Sequence, residues 1–344
     1  MNEQPKLTNQ RILVTGGAGF IGSNLVEYFL QNNEVVCLDN LSTGFYKNIE
    51  DFIKNPNFTF IEGDIRHLET CRLAVKDCDY ILHEAALGSV PRSIHDPIAT
   101  NASNIDGFLN MLVAARDEKV KRFVYAASSS TYGDSKELPK VEYNIGRPLS
   151  PYAVTKYVNE LYAHVFTQLY GLETIGLRYF NVFGKRQSPE GAYAAVIPLW
   201  AKILLNHERP IINGDGSYSR DFTYIENVIQ ANEMAALTCW HVILDQSQIY
   251  YNENKLDKAP DHIFNIAYGG NTTLTELFEA LRNNLATYDQ SLIQIEPIYG
   301  PNRDGDIPHS LASIHKARQI LNYKPTMDAR TGFEKVASWY FHNL

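Results

Sequence analysis

The sequence RILVTGGAGFIGSN, residues 11–24, decides how the rest of the chain is organised. It starts with an apolar run at residues 12–14, which is typical of a strand buried on both faces of a parallel sheet. The glycines of a GxGxxG turn follow at Gly17, Gly19 and Gly22, and the pattern then becomes helical. Such a turn lets the backbone approach a pyrophosphate closely and points the positive end of the helix at it.

The next apolar run, residues 34–38, predicts a second strand that ends in Asp39. An acidic side chain at this spacing accepts hydrogen bonds from an adenosine ribose. The same carboxylate would face the 2′-phosphate of NADP, so it favours NAD. Because strand, turn, helix, strand and acidic end follow in this order, we predict a binding site for NAD.

Strand and helix patterns alternate through the first half of the chain. This alternation predicts an α/β fold with a Rossmann-type, doubly wound parallel sheet over residues 1–180. Ligands bind such sheets in the crevice at the carboxyl ends of the strands. The later strands are predicted at residues 58–62, 80–83, 123–127 and 174–178, and the longer helices at 98–116 and 152–169.

In the second half the alternation weakens and glycine and proline become more frequent. We predict a smaller C-terminal α/β lobe over residues 181–344 that binds the substrate. Segments near 222–240 and 262–268 are predicted to return to the first domain, with residues 222–225 as a strand of its sheet. The polar stretch 246–261 predicts an exposed loop.

The composition is that of an ordinary globular protein, with 44% hydrophobic and 20% charged residues. A net charge of −8 gives no indication of a nucleic-acid surface. The four cysteines have no metal-ligand spacing, so we predict free thiols in a reducing compartment and no metal site. The N-terminus lacks a signal-peptide pattern, and the most apolar segment, 192–205, is too short to cross a bilayer. We therefore expect a cytoplasmic protein that does not insert into membranes.

The strongest catalytic signal is SPYAVTK, residues 150–156. Ser150 suits a helix N-cap, and Tyr152 and Lys156 then share one helical face because they are four residues apart. An ammonium beside a phenol favours the phenolate and lowers the pKa of the tyrosine toward neutrality. Together with an NAD turn, this pair predicts a general base that works beside a nicotinamide.

A run of three serines directly follows the predicted strand at residues 123–127. A hydroxyl at this sheet edge can bridge a substrate hydroxyl and the tyrosine, which positions hydride and proton transfer together. Ser128 is the first candidate and Ser129 the second. The sequence leaves open which of the three serines, Ser130 included, faces the substrate.

These motifs resemble those of the extended short-chain dehydrogenases/reductases, and within that family the UDP-N-acetylglucosamine 4-epimerases of bacterial surface-polysaccharide (O-antigen) biosynthesis. The resemblance extends over nearly the whole chain. It implies NAD-dependent, reversible conversion of UDP-GlcNAc to UDP-GalNAc, with UDP-Glc and UDP-Gal as further candidate substrates. The segments that carry it are TGGAGFIGSN, LDNLSTG, EGDIR, HEAALGSVPRS, ASSSTYGD, PLSPYAVTKYVNE, LRYFNVFGKRQ, GAYAAVIPLW, NGDGSYSRDFTYIENV and RDGDIPHS.

The resemblance also implies a mechanism. Tyr152, as the phenolate, takes the proton of the 4-hydroxyl of the sugar while the C4 hydride passes to tightly bound NAD. The 4-keto sugar then turns its other face to the nicotinamide, the same hydride returns, and Tyr152 gives the proton back. The reaction has no net redox change.

By the same resemblance, two sets of residues bind the cofactor and the substrate. The set for NAD is Gly16, Gly19, Phe20, Ile21, Gly22, Asp39, Asn40, Ser42, Thr43, Gly44, Asp64, Ile65, Ala85, Ala86, Asn101, Tyr152, Lys156 and Tyr179. The set for the UDP-sugar is Ser89, Arg92, Ser128, Ser129, Tyr152, Asn181, Ala195, Val196, Trp200, Asn213, Arg220, Arg303, Asp306 and Ser310.

The resemblance implies that Arg220 contacts the diphosphate and that Arg303 binds the nucleotide, with Asp306 on its ribose. Arginine suits these roles because the guanidinium fork matches phosphate oxygens in two places. The alternative is that each pairs with the aspartate that follows it. Ser310 bears on the choice of sugar. Related galactose epimerases that exclude N-acetyl sugars carry a bulky tyrosine there, whereas serine leaves room for the acetamido group or simply marks a tolerant loop.

Two rival functions use the same fold. A nucleotide-sugar 4,6-dehydratase or decarboxylase usually carries a carboxylate just after the active-site hydroxyl, but residues 129–132 read SSTY. A non-catalytic NAD-sensing protein commonly loses the Tyr/Lys pair, which is present here. At position 84 many related proteins carry an uncharged residue near the nicotinamide ribose, whereas this chain has a glutamate. The sequence leaves open which groups Glu84 contacts.

Dimerisation is a further expectation from the resemblance. Related enzymes pair the helices that correspond to residues 98–116 and 152–169 into a four-helix bundle between subunits. Both predicted helices carry apolar residues beyond one stripe, and the alternative is that all of these pack on the sheet. The residues concerned are Leu109, Met111, Leu112, Val158, Leu161 and Val165.

Overall fold

A parallel seven-stranded sheet lies at the centre of the structure, a computed structural model that describes residues 6–190, 194–257, 261–301 and 308–344. The strands are β1 (Arg11–Thr15), β2 (Glu34–Asp39), β3 (Phe58–Glu62), β4 (Tyr80–His83), β5 (Arg122–Ser128), β6 (Thr174–Tyr179), β7 (Val182–Phe183), β8 (Ile211–Asn213), β9 (Ser219–Arg220), β10 (Thr223–Tyr224), β11 (Ile263–Ile266), β12 (Thr272–Thr273) and β13 (Ile298–Gly300).

Helices cover both faces of this sheet and build the second half. They are α1 (Phe20–Phe29), α2 (Leu68–Val75), α3 (Val90–His95), α4 (Pro97–Asn101), α5 (Gly107–Glu118), α6 (Pro151–Tyr170), α7 (Val196–Leu205), α8 (Ile225–Leu237), α9 (Trp240–Glu253), α10 (Leu274–Leu285), α11 (His315–Leu321) and α12 (Ala329–Asn343).

The strand order is β3-β2-β1-β4-β5-β6-β11, and every pair is parallel. The first strand, β1, therefore lies in the middle of the sheet, with β2 and β3 on one side of it. The strands from β4 onward lie on the other side. A crevice opens where the order reverses, between the carboxyl ends of β1 and β4. This topology confirms the predicted fold class, an α/β protein of the Rossmann type.

The strands read as apolar runs because each face of the sheet packs against helices. On one face Val14 and Leu177 belong to a core that includes residues of α1 and α8. On the other face Leu13 and Phe123 pack with residues of α2 and α5. Successive side chains along a strand therefore pack into two separate hydrophobic cores, one on each face of the sheet. Because both faces are covered, no residue of β6 is exposed.

The second half contributes one strand to the large sheet and three short strand pairs. The edge strand β11 pairs with β6. The segment predicted as a sheet strand at residues 222–225 is different, because β10 pairs with β7 in a separate two-stranded sheet. Its continuation, α8, still packs against the sheet through Val228 and Ala231.

A further prediction needs correction, and another needs one addition. The stretch 246–261 is not a continuous loop, because α9 runs to Glu253 and buries Ile243, Ser247 and Tyr250 at helical spacing. These three residues lie on the inward face of the helix. The polar residues between them made the helical pattern hard to recognise in the sequence. The helix predicted at 98–116 is present without a break, but it contains one π-helical turn, Ala102–Asp106, between α4 and α5.

The apolar residues singled out on the two long helices divide into two groups. Met111 and Leu112 are fully buried within the subunit, so they hold α5 against the sheet and α2. Leu161 and Val165 on α6 are exposed. An apolar outward face therefore exists, but it comes from fewer of the predicted residues than expected.

Candidate active site

A cleft of about 420 Å³ lies at the carboxyl ends of the central strands. Its volume falls in the range of about 300–1,000 Å³ that is common for small-molecule sites. It brings together 17 of the residues predicted from the sequence. These are Gly16, Gly19, Phe20, Ile21, Gly22, Asp39, Asn40, Ser42, Thr43, Ile65, Ala85, Ala86, Ser128, Tyr152, Lys156, Tyr179 and Asn181.

The glycine turn forms one wall of the cleft. Gly16 has a φ of +66° and its amide donates to the Leu38 carbonyl at 2.8 Å, so the turn is tied to the end of β2. A Cβ atom on Gly22 would lie 2.1 Å from the Gly16 carbonyl oxygen. Gly19 is the N-cap of α1 and no side chain caps this helix, which leaves its first amides for a ligand anion.

Asp39 lies at the end of β2, beside this turn. Its carboxylate accepts hydrogen bonds from the amides of Ala18, at 3.0 Å, and Leu41, at 2.8 Å. Burial raises the pKa of Asp39, and these backbone bonds oppose that shift. A carboxylate has about four acceptor positions, so two bonds leave capacity for a ribose diol. The close-packed turn, the uncapped helix and this carboxylate fit an adenine dinucleotide.

The Tyr152/Lys156 pair lies deeper in the cleft, on the first turns of α6. Ser150 caps this helix, its hydroxyl accepting from the Ala153 amide at 3.1 Å, and Pro151 occupies the first helical position. The Lys156 ammonium donates to the Ala126 carbonyl of β5 at 2.8 Å and lies 6.0 Å from the centre of the Tyr152 ring. The helix start and the strand end together fix both side chains.

The expected lowering of the Tyr152 pKa is not what the structure shows. Burial raises the pKa of this phenol, and the charge of Glu84 adds to the shift, whereas a hydrogen bond with Ser128 lowers it. Burial also lowers the pKa of Lys156 to about 8. The prediction considered the attraction of the phenolate to the ammonium and to a bound nicotinamide, and it left out the cost of removing the charges from water.

Among the three serines, Ser128 is the one that lines the cleft and bonds to Tyr152. Its hydroxyl accepts from the Ser130 amide at 3.2 Å and from the Ser130 hydroxyl at 2.9 Å. Ser129 and Ser130 do not line the cleft. The difference follows from the short 3-10 turn Ser129–Tyr132, which turns the chain away immediately after β5.

Sequence reasoning missed Asn104, which lies in the π-helical turn. Its side-chain amide bonds to both backbone groups of Leu87, at 2.7 and 3.1 Å, and to the Thr155 hydroxyl at 3.1 Å. It therefore ties the loop that follows β4 to the helix that carries Tyr152. An isolated asparagine in an amphipathic helix gives no sequence signal for this role, because the widened turn that aims it is visible only in the structure.

The structure does not bring every predicted residue of the first half into the cleft. Asn101 is exposed on α4, and Asp64 forms an ion pair with Arg66 at 2.6 Å while accepting from Asn40. Ser89 caps α3, where its hydroxyl accepts from the Arg92 amide at 3.4 Å. Others of the predicted set that do not line the cleft are Gly44, Arg92 and Ser129.

Of the predicted residues of the second half that the structure describes, one lines the cleft. Asn181 lines the cleft and its side-chain amide donates to the Asp221 carbonyl at 3.1 Å. Ser310 donates from its amide to the Ser219 carbonyl, directly beside Arg220. Those that do not line the cleft are Ala195, Val196, Trp200, Asn213, Arg220 and Ser310, and the predicted Arg303 and Asp306 lie outside the described residues.

The carboxylate of Asp221 organises this region. It is fully buried and accepts from the amides of Gly269 and Ala312, at 3.2 Å each. Burial raises the pKa of Asp221 to about 6, and the backbone hydrogen bonds oppose the shift. Through these hydrogen bonds with main-chain amides, Asp221 holds the loop that contains Ser310 next to the segment that contains Arg220.

Two further properties of the described part of the chain are relevant. No cluster of three or more histidine, cysteine, aspartate or glutamate side chains there could hold a metal ion. Within the same ranges no helix has the length and apolar character needed to cross a membrane.

A glycine-turn cleft that ends at a Ser-Tyr-Lys set defines a nicotinamide-dependent enzyme of the extended short-chain dehydrogenase/reductase class. Comparison with known proteins agrees. The model of the NAD dependent epimerase/dehydratase family matches residues 12–240. The chain belongs to this family, and its cofactor is NAD.

Individual relatives cover nearly the whole chain. A protein named "Putative UDP-glucose 4-epimerase" from Methanocaldococcus jannaschii is 36% identical over 335 residues, covering 96% of this chain and 99% of its own length. The solved UDP-N-acetylglucosamine 4-epimerase of Methanobrevibacter ruminantium M1, in complex with UDP-N-acetylmuramic acid, has a TM-score of 0.86 and 34% identity, covering 98% and 100% of the two chains. The UDP-glucose 4-epimerase of Thermus thermophilus, solved in complex with NAD, has a TM-score of 0.80 and 30% identity, covering 97% and 100%.

Proposed function

We propose that the chain is a UDP-sugar 4-epimerase that interconverts UDP-GlcNAc and UDP-GalNAc. The observation that carries this proposal is the position of Tyr152, Ser128 and Lys156 at one end of an NAD cleft. The 3-10 turn Ser129–Tyr132, directly after the active-site serine, has no carboxylate. A 4,6-dehydratase usually has its acid there, so epimerisation is favoured over dehydration.

In this proposal Tyr152 moves the proton of the 4-hydroxyl, and Ser128 orients that hydroxyl against the phenol. Bound NAD supplies the acceptor for the C4 hydride and the source of its return. Lys156 stabilises the phenolate electrostatically, which is needed because burial otherwise opposes its formation. Tyr152 returns its proton when the sugar presents its other face.

The nucleotide must stay bound while the sugar turns, so we assign it to residues away from Tyr152. We propose that Asn181, Arg220, Arg303 and Asp306 hold the diphosphate and the ribose. Ser89 and Arg92 would lie over the sugar, while Ala195, Val196, Trp200 and Asn213 would form the uridine pocket. The division into an NAD domain, 1–180, and a nucleotide-sugar lobe, 181–344, is part of the same proposal.

The preference for an N-acetylated sugar rests on Ser310. This side chain is partly exposed beside Arg220, where its amide bonds to the Ser219 carbonyl. Serine leaves space there for an acetamido group, and a larger side chain would fill it. We also propose a cytoplasmic location, which the buried free thiols of Cys37, Cys71 and Cys78 fit.

The proposal is tested by incubating the purified protein with each of the four UDP-sugars and no added cofactor. We expect UDP-GlcNAc and UDP-GalNAc to reach the same equilibrium mixture from both sides. Ser310→Tyr is expected to lower kcat/KM for the N-acetylated pair by about 10-fold or more and to spare UDP-Glc, because a filled pocket rejects the larger substituent. Release of a 4-keto-6-deoxy sugar would instead favour a dehydratase, and bound NAD without turnover would favour a sensor.

We further propose that the chain forms a homodimer through α6 and its neighbours. Leu161 and Val165 are 50% and 44% exposed on α6, and Ile98 on α4 is 81% exposed. These two helices pack against each other, so their exposed apolar side chains lie on neighbouring surfaces. Light scattering at micromolar concentration is expected to give a dimer, and Leu161→Glu with Val165→Glu a monomer. Leu73→Glu, at a similarly exposed position on α2, should leave the mass unchanged; a wild-type monomer would contradict the dimer.

A further inference from the structure

Glu84 is a carboxylate in the active-site cleft that the proposed chemistry does not use. It directly follows β4 and lines the same cleft as Tyr152 and Lys156. Its side chain is half-buried, so it lies between the protein interior and the space for the ligands. A charged group at this place acts on every proton that the site holds or moves.

Two other elements hold this carboxylate in position. Tyr179, the last residue of β6, donates from its hydroxyl to Glu84 Oε1 at 2.7 Å. Asn232 of α8 donates to the same hydroxyl at 2.9 Å and to the Val228 carbonyl at 3.0 Å. Because β5 lies between β4 and β6, the bond from Tyr179 to Glu84 crosses the carboxyl end of β5. Glu84 is therefore fixed above that strand end.

The ammonium of Lys156 is bound at the same strand end. It donates to the carbonyl oxygen of Ala126, a residue of β5. His83 of β4 pairs with Tyr125 of β5, so Glu84 and Ala126 are the next residues along the two paired strands. The register thus brings the carboxylate and the ammonium to neighbouring positions. An opposite charge at a neighbouring position favours the charged form of the lysine.

Of the other ionisable groups around Lys156, Glu160 is paired with an arginine but still acts on the lysine, and the rest are neutral. Glu160, one helical turn farther along α6, forms two hydrogen bonds of 2.8 Å with the buried Arg178. His83 is buried, and burial lowers its pKa to about 3, so its ring is uncharged at neutral pH. Tyr152 and Tyr179 are phenols whose pKa burial raises.

The titration of Glu84 and Lys156 is consistent with direct coupling. Burial raises the pKa of Glu84 to about 7, and the Tyr179 hydrogen bond and the Lys156 charge oppose that shift. Burial lowers the pKa of Lys156 to about 8, and the charges of Glu84 first and Glu160 second oppose that shift in turn. Each of the two charges therefore favours the charged form of the other group.

We infer that Glu84 is a positioning residue of the active site: held by Tyr179 and Asn232, its carboxylate keeps the Lys156 ammonium charged beside Tyr152. It thereby sets the pH range in which Tyr152 exchanges its proton. This inference rests on the role proposed for Tyr152 and Lys156. A negative charge makes the neighbouring Lys156 proton harder to remove, so loss of the Glu84 carboxylate moves the alkaline pH limit of activity downward.

The test is Glu84→Gln in the NAD-loaded protein, since glutamine keeps the size of the side chain and an acceptor for Tyr179. We expect the alkaline limb of the kcat–pH profile, where Lys156 loses its proton, to move down by about one pH unit. On the alkaline limb the variant then turns over about 10-fold more slowly than the wild type, while KM changes less than about 2-fold. Glu62→Gln removes an exposed carboxylate at the end of β3, three strands away, and should keep the wild-type profile.

A second measurement follows Lys156 without catalysis. NMR of protein labelled with ¹³C at the lysine Cε, assigned with Lys156→Met, gives the titration midpoint of this residue. The midpoint is expected to fall in Glu84→Gln, and in Tyr179→Phe, which removes the anchor of the carboxylate. An unchanged midpoint in folded Glu84→Gln would overturn the inference. A wild-type protein that does not epimerise UDP-sugars would contradict the proposed function instead, and the Lys156 midpoint would still decide the role of Glu84.

Discussion

Tyr152→Phe is expected to lower kcat for UDP-sugar epimerisation by about 10³- to 10⁴-fold, the upper range for loss of a general acid–base group. Phenylalanine keeps the ring and its packing but removes the hydroxyl that exchanges the proton. Ser128 and Lys156 remain, but neither lies in the proposed path between the 4-hydroxyl and a base. The effect should appear in kcat, with KM nearly unchanged, because the nucleotide is held elsewhere in our proposal.

The matched control is Tyr170→Phe, which makes the same chemical change on the last turn of α6. Its ring is 50% exposed and lies far along the helix from the cleft, so turnover should match the wild type. The content of bound NAD and the midpoint of thermal unfolding should be the same in the wild type, Tyr152→Phe and Tyr170→Phe. Wild-type turnover by Tyr152→Phe would remove the basis of the proposed mechanism.

Gly22→Ala is expected to weaken NAD binding on the order of 100-fold, equivalent to about 2.7 kcal/mol. The added Cβ would lie 2.1 Å from the Gly16 carbonyl oxygen and 2.8 Å from Gly17 Cα. Both contacts are to backbone, so no side chain can rotate away and the turn itself must open. Gly16 cannot absorb the movement easily, because its positive φ and its bond to Leu38 fix it against β2.

The affinity is measured by titrating NAD onto stripped protein, and the NAD content of the protein as purified is measured alongside. Gly300→Ala is a suitable control, because the nearest atom to its Cβ would be the Ile211 Cγ2 methyl at 3.1 Å, which is a movable side-chain atom. That variant should bind NAD like the wild type. Full NAD occupancy in Gly22→Ala would show that the turn does not need its close backbone contact.

The local signals of the first half predicted the structure well. The glycine turn, Asp39 and the start of α6 each depend on residues close in sequence, so spacing alone determines them. Strands β3 and β4 begin and end at the predicted residues. Long-range pairing was less predictable, as the separate β7–β10 pair shows, because a short apolar segment does not encode its partner.

The miss at α9 has a different cause. Its inward positions, among them Ile243 and Tyr250, are separated by polar residues, so composition alone indicated a loop. The helix is stable because these side chains are buried against the rest of the second half. The positions of Arg220 and Ser310 could not be predicted from the sequence for another reason. They depend on hydrogen bonds between Asp221 and loops that are distant in sequence.

The sequence by itself determined the Rossmann-type sheet, the choice of NAD and the presence of the Tyr152/Lys156 pair. Each of these follows from the spacing of residues that are close in sequence, because the backbone geometry of a single turn or helix fixes how such residues are arranged. Tertiary structure alone decided which serine meets Tyr152 and where Glu84 lies. It also reversed the expected direction of the Tyr152 pKa shift. The ionisation of Tyr152 depends on burial and on the groups that the fold brings beside it, Ser128 at the end of β5 and Glu84 directly after β4, and no local pattern in the chain predicts their combined effect.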